Sequence, residues 1–316
     1  MEHSLDLTYH WAGFSALVVF VIAYAFVMAE EFTHLRKSKP VVLAAGLIWG
    51  MIAIAYSNTP HYEMVEHEIR HSFLEYTELA FFLLVAMTYI NALEERNVFN
   101  SLKSWLIKNQ FSYRQLFWIT GVLAFFLSPL ADNLTTALVL CAVVVAVGSS
   151  SPKFVGLACV NIVVAANAGG AFSPFGDITT LMVWQAGQLD FLQFFALVIP
   201  SVVNYIIPAS IMHFFVSDHK PDVAETSVTI KYGGKTIILL GLLTIVTAVS
   251  FHNFLHLPPV FGMMTGLAYL QLYSFYIKIS VKDIEEQKYD FFENVARVEW
   301  DTCLLYTSPS PRDSIA

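Results

Sequence analysis

The chain has 316 residues, of which 56% are apolar, 15% aromatic and only 13% charged. A soluble domain carries about 25% charged residues, so a soluble protein of this size is excluded, and disorder, which needs an apolar-poor and charge-rich chain, is excluded with it. Three cysteines are too few for a disulfide scaffold, a net charge of −8 leaves no basic footprint for nucleic acid, and a mean hydropathy of +0.60 points to a polytopic membrane protein.

A bilayer core of about 30 Å takes about 20 apolar residues as a helix. Residues 11–30 supply the first span. The stretch ahead of it has Glu2 and Asp6 but no Lys or Arg, so it reads as a retained span rather than a signal peptide. Residues 40–56 and 73–92 follow, and residues 191–216, 236–256 and 259–277 close the series. Between them lie two interrupted apolar segments. Residues 115–148 break at Ser128-Pro129-Leu130-Ala131-Asp132-Asn133; residues 154–190 break at Gly169-Gly170 and again at Ser173-Pro174-Phe175-Gly176-Asp177. Segment 93–114 alternates charge with Phe99, Leu102, Trp105, Leu106 and Phe111 and reads as an amphipathic helix on the inner surface; residues 283–300 read alike. No soluble domain is visible.

Lys and Arg set the orientation. With the N-terminus outside, and with 115–148 entering and returning as a hairpin, 15 of the 17 basic residues fall inside, leaving Arg70 outside and Arg312 in the tail. A single crossing would move eight of them outside. The distribution therefore predicts a hairpin, re-entrant or of two short crossings, with Asp132 near its tip. Non-helical backbone at such depth has to lie inside protein or beside a water-filled cavity.

The two breaks repeat one pattern. Ser128-Pro-Leu-Ala-Asp132-Asn133-Leu-Thr135-Thr136 aligns with Ser173-Pro-Phe-Gly-Asp177-Ile-Thr179-Thr180 with one gap. Each has Ser-Pro, a small residue, an Asp, and a Thr pair opening an apolar helix. A carboxylate at membrane depth is costly and marks function by default. Asp and Asn oxygens, Thr hydroxyls and unwound carbonyls are hard ligands suited to a hard cation. No Lys or Arg lies within any span, as an anion site would require. A buried Asp binds a proton or a metal ion but not both well, which is the physical core of cation/proton exchange. The plainer role of both acids is to cap the helix that follows, and the two roles can coexist.

Other polar residues in the spans divide similarly. Asn167 is within reach of the second break or makes an interhelical hydrogen bond; Asn161 reads as structural. Glu78, a turn deeper than Glu75, is a proton-path acid or a solvated helix-end acid. Cys141 and Cys159 read as small apolar fillers. In the outer loop, His67-Glu68-Ile69-Arg70-His71 matches H-E-x-x-H, so a membrane zinc hydrolase using His67, Glu68 and His71 stands as a rival from another class. No third ligand has a recognisable spacing, and the loop is rich in His and Glu throughout, which favours a solvated amphipathic face.

The stretches Leu74–Glu78, Val85–Asn97, Leu127–Thr136 and Asn161–Gln185 closely resemble NhaD-type sodium/proton antiporters, of the superfamily that also holds arsenite and dicarboxylate carriers. The resemblance spans about residues 10–302. It implies an all-α polytopic fold of two inverted repeats, each with a hairpin and a broken helix, and exchange of Na⁺ or Li⁺ for H⁺ by alternating access without a cofactor. It also implies roles for Glu78, Asp132, Asn133, Asn167, Asp177, Thr179 and Thr180. With Thr135 and Thr136 added from the motif, these are the expected ion-site residues, Asp132 and Asp177 being the Na⁺ carboxylates. An anion or metalloid permease of the same superfamily is the alternative within transport. The expected partners are Na⁺, Li⁺, H⁺ and the lipid bilayer, with self-association left open. The expected location is a cell inner membrane or, alternatively, a plastid envelope. Residues 1–302 read as the transporter domain. From Cys303 on, a Pro- and Ser-rich string stands where the family enters another span. Residues 303–316 therefore read as a non-native tail, the second repeat as missing, and the 316-residue polypeptide as a fragment inactive alone.

Overall fold

A computed structural model describes residues 9–57, 59, 62–109, 111–148, 151–220, 228–280, 291–298, 300 and 304. Half of 283–300, namely 283–290 and 299, and, apart from Leu304, the whole 303–316 tail lie outside the described residues. The chain forms two compact units, residues 1–87 with 297–316, and residues 88–296. All regular structure among the described residues is helical, and eight helices are long and apolar enough to cross a membrane.

The first unit holds α1 (Trp11–Met28), the short α2 (Glu30–Thr33), α3 (Ser38–Tyr56) and most of α4 (Tyr62–Glu95). His10 starts α1 by accepting from Ala12 N–H, and His34, at φ 54°, ends α2. α1 packs on α3 through small buried residues, Ala12 and Ala23 on one helix and Ala44 and Ala45 on the other. Small residues let helices in lipid approach closely where no hydrophobic drive joins them. α4 is longer than the expected 73–92 span. Its first turns are charged and exposed, carried by i,i+4 pairs such as Glu66–Arg70 at 2.8 Å.

The second unit contains α5 (Val98–Lys108), α6 (Tyr113–Ala131), α7 (Asn133–Val147), α8 (Pro152–Gly170), α9 (Ile178–Gln185), a 3₁₀ turn (Phe191–Leu197), α10 (Val198–His213), α11 (Gly234–Leu255), α12 (Pro259–Ser280) and α13 (Phe291–Ala296). The expected 191–216 span is thus a 3₁₀ turn leading into a shorter helix. Amphipathic α5 buries Leu106 and Ile107 and leaves Trp105 half exposed.

Cross-helix contacts fix the directions. Asn161 meets Phe117 and Ser128 meets Ala166, so α6 and α8 run parallel. Asn133 meets Asn167, Cys141 reaches Cys159 and Gly148 abuts Phe154, so α7 runs antiparallel to α8. α6 and α7 are therefore the two arms of a hairpin with Asp132 at its tip, as the charge distribution requires. α10 returns antiparallel to α6: Tyr205 lies against Gly121 and Arg114 Nε donates to Val216 O at 2.9 Å.

α11 and α12 pair antiparallel through Gly262 against the Ala248 backbone and Gly266 against Thr244. The Tyr89 hydroxyl locks this pair to the end of α4, donating to Gly266 O at 2.7 Å and meeting the Thr244 hydroxyl at 2.9 Å. At one end of the unit Lys231 N donates to Arg96 O, Tyr113 N to His219 O, and Val228 N to Ser104 Oγ. The described Lys and Arg of the unit fall at that end, from Arg96 and Arg114 to Lys153 at the start of α8 and Lys278 in the last turn of α12. The hairpin tip lies roughly 27 Å away along α6 at 1.5 Å per residue.

Candidate ion-binding site

The tip of the hairpin and the break between α8 and α9 meet. α6 ends at Asp132, whose φ of 55° and ψ of 161° fall in a region open almost only to glycine. Such a conformation costs about 1–3 kcal/mol and persists only where the surroundings impose it. Asp132 then caps α7. Its Oδ1 accepts from Thr135 N and its Oδ2 from Thr135 Oγ1, both at 2.8 Å.

Asp177 caps α9 from an ordinary extended backbone, φ −148°. Its Oδ1 accepts from Thr179 N at 2.8 Å and from Thr179 Oγ1 at 2.7 Å. Its Oδ2 accepts from Asn133 Nδ2 at 2.6 Å. The second Asn133 proton goes to Asn167 Oδ1 at 3.1 Å, and Asn167 Nδ2 donates to Val163 O at 2.8 Å. Asn133, Asn167, Asp177 and Thr179 thus share one network, and Asp132 with Thr135 adjoins it through the 132–133 peptide bond. Both acids do cap helices, and they do so side by side.

Three expected members are not part of this network among the described residues. The Thr180 hydroxyl is 2.8 Å from both Ser173 O and Asp177 O, so it braces the unwound stretch. Thr136 is turned into the core, 4% exposed, with its hydroxyl unpaired among the described residues. Glu78, half exposed on α4, belongs to the first unit together with Glu75.

The backbone around the break is packed by residues the motif contained but did not explain. Ser128 Oγ donates to Ala166 O at 2.6 Å, and Ser173 Oγ to Pro129 O at 3.1 Å, so each Ser of a Ser-Pro pair bonds the other segment's backbone. Pro129 has no N–H for Phe125 O, and Gly169 lies flush on that carbonyl. A Cβ at Gly170 would stand 2.6 Å from Gly176 O, and one at Gly176 would stand 2.5 Å from Gly170 Cα. The expected break at Gly169-Gly170 is therefore corrected. α8 runs through Gly170 and the unwinding covers 171–177; the glycines admit α6 and the loop at backbone distance instead of loosening the helix. The repeated serine before each proline was the available signal.

The arrangement offers carboxylate, amide and hydroxyl oxygens at the starts of two half-helices, while the described Lys and Arg of this unit sit at its other end. His67, Glu68 and His71 lie on the exposed start of α4. His67 Nδ1 is 4.0 Å from Glu68, His71 Nδ1 is 3.6 Å from Glu75, and no group of three His, Cys, Asp or Glu among the described residues is placed to hold a metal ion. The helix confirms the i,i+4 spacing and supplies no third ligand.

Residues 11–308 match a family model described as citrate transporter. The Na(+)/H(+) antiporter NhaD of Vibrio cholerae is 51% identical over 324 residues, covering 96% of this chain and 68% of that protein. The chain belongs to the NhaD-type sodium/proton antiporters. The Alkalimonas amylolytica NhaD is also 51% identical, over 96% of this chain and 67% of its own length. Sodium/proton antiporter 1 of Arabidopsis thaliana is 30% identical, over 92% of this chain and half of that protein. The chain thus spans about two thirds of the length of the bacterial NhaD proteins. As a family member it is a multi-pass secondary transporter and not an enzyme, which removes the zinc hydrolase.

Proposed function

We propose that this NhaD-type protein exchanges Na⁺, with Li⁺ as a smaller substitute, for H⁺ across a cell inner membrane, and that Asp132 and Asp177 are the carboxylates the two cations share. The observation that carries this reading is the meeting of the two Asp-headed half-helices through Asn133, at a distance from the described cationic side chains of that unit. Asp132, Asp177, Thr135, Thr179 and the amide oxygens of Asn133 and Asn167 offer the hard oxygen ligands a desolvated alkali cation needs. Each carboxylate already accepts from its Thr, and an ionised carboxyl retains further lone pairs for a cation or a proton. Proton and Na⁺ then compete for the same oxygens, and the side of the membrane on which each wins sets the direction of exchange. Thr136 and Thr180 stabilise the half-helices, and Glu78 serves the proton path from α4.

The test is Na⁺-dependent pH change in membrane vesicles carrying the complete gene product. Asp132→Asn and Asp177→Asn each abolish it, while His71→Ala and zinc chelation leave exchange in place. Retained exchange in both Asp variants refutes the assignment. Citrate- or arsenite-driven flux without a Na⁺ response would establish the permease alternative.

A further inference from the structure

The seam between α7 and α8 carries a second facing pair that the ion site does not use. Asn133 bonds Asn167 across the seam, and eight residues along on each helix Cys141 faces Cys159. The thiols lie about 12 Å from the Asn pair at 1.5 Å per residue. Cys141 Sγ is 4.0 Å from Cys159 O, and the two thiols interact directly. The seam is fixed on either side of them. The Asn133–Asn167 bond holds one end at 3.1 Å. At the other end a Cβ on Gly148 would stand 2.7 Å from both Phe154 Cδ1 and Val155 Cγ2.

Both cysteines are half-buried at the edge of the core, beside fully buried Leu140, Val143 and Ala158. Leu138 and Val145, a turn to either side of Cys141, are exposed and apolar, and so is Val163, a turn beyond Cys159. The pair thus has an apolar setting with an open side. No third His, Cys, Asp or Glu among the described residues is placed to join it. The four-ligand tetrahedral set that structural zinc takes is therefore not assembled there.

We propose that Cys141 and Cys159 form a two-thiol site for a soft divalent metal ion of linear coordination, with Hg²⁺ as its type. Thiolate sulfur is a soft ligand and selects soft metal ions. A linear sulfur–metal–sulfur unit with bonds of about 2.3 Å, the length of a zinc–thiolate bond, spans about 4.6 Å. That span is of the same order as the 4.0 Å contact between the two residues. Charge decides which ion fits. Two thiolates and a divalent ion make a neutral unit, whereas Ag⁺ or Cu⁺ between the same sulfurs leaves a net negative charge in apolar surroundings, which is costly. The reaction is ligand exchange without redox: uncharged HgCl₂ gives up two chlorides, the two thiols give up two protons, and two Hg–S bonds form. The fixed seam holds the second sulfur ready once the first has bound, so little ordering cost remains. The inference rests on the fold and not on the exchange reading.

The experiment uses the complete gene product, purified in detergent, with every cysteine other than Cys141 and Cys159 replaced by Ser. HgCl₂ is titrated in, bound metal and released protons are counted, and glutathione is then added as a competing monothiol. The paired protein takes up one Hg²⁺ per chain, releases two protons and loses both thiols from a maleimide count. Adding Cys141→Ser or Cys159→Ser makes the protein give up the metal at a glutathione concentration lower by roughly 10²–10⁴-fold, the gain expected of a second tethered ligand. Cys159→Ser combined with Val160→Cys keeps two thiols but turns one of them about 100° around α8, and it behaves as the single-thiol forms do. Any of three results overturns the site: two metal ions per chain in the paired protein, retention no better than in the single-thiol forms, or equal retention in the Val160→Cys combination.

Discussion

Asp132 supports a prediction in which stability and function move in opposite directions. Its φ of 55° and ψ of 161° put its Cβ in a conformation worth about 1–3 kcal/mol of strain. Replacement by Gly removes that strain. It also removes the cap and the bond from Thr135 Oγ1, but glycine at an N-cap costs only a few tenths of a kcal/mol, and one hydrogen bond is worth about 1 kcal/mol net. Asp132→Gly is therefore as stable as the parent or more so, by up to about 1–2 kcal/mol. Asp132→Ala keeps the strain and loses the cap, a cost of about 0.5–2 kcal/mol, along with the hydroxyl bond. Asp132→Asn keeps a side-chain oxygen for the cap and the same backbone strain, and falls between. The expected order is Gly at or above the parent, Asn close to it, and Ala lowest, with Gly and Ala roughly 2–4 °C apart per kcal/mol of difference. Thermal unfolding in detergent, followed by tryptophan fluorescence, reads the order, and the vesicle assay reads exchange, which all three variants lose. An Ala variant as stable as the Gly variant would show that position 132 carries no strain and would remove the argument that its backbone is held for function.

Two further predictions concern the frame around the site. Gly176→Ala places a Cβ 2.5 Å from Gly170 Cα, where backbone faces backbone and neither side can rotate away. The expected cost is about 1–3 kcal/mol of overpacking, read as a lower unfolding temperature, with weakened Na⁺ dependence because the break separates from the hairpin. Ser128→Ala deletes the bond to buried Ala166 O and lowers stability by about 1 kcal/mol in the same assay; Ser128→Thr, which keeps the hydroxyl, separates loss of that bond from added bulk by showing how much of the effect is steric.

The chemistry of the site was legible where it depended on residue type. Two acids in apolar segments, each heading a Thr pair, are visible in a string of letters, and so is the charge count that demanded a hairpin. The single alignment gap between the motifs carried more than its pattern showed. Asn133 is the extra residue in the first motif, and among the described residues it alone bonds both Asn167 and Asp177, 34 and 44 positions away. No local periodicity encodes that contact, because it follows from α7 returning along α8. The glycines were misread for a related reason. A sequence shows that Gly169 and Gly170 lack side chains but not what fills the space, and here Phe125 O and Gly176 fill it. The Thr pairs divide because successive helical residues point about 100° apart: Thr135 and Thr179 turn to the carboxylates, while Thr136 turns to the core and Thr180 to the break.

The family model's citrate description makes the choice between anion and cation a physical question about these same half-helices. A helix N-terminus with free N–H groups is a ready-made anion site, and this body presents two, at the starts of α7 and α9. In this chain both are occupied from within. Asp132 takes the Thr135 N–H and Asp177 takes the Thr179 N–H. The dipoles that would bind a substrate carboxylate hold the protein's own carboxylates instead. Distant positive charge does not reverse this. At roughly 27 Å and an effective dielectric of about 20, a lysine or arginine at the far end contributes about 0.6 kcal/mol, less than one hydrogen bond to an ionised group at about 1.5–3 kcal/mol. The helix ends where an anion would otherwise bind are thus filled locally, by two acidic side chains of the chain itself.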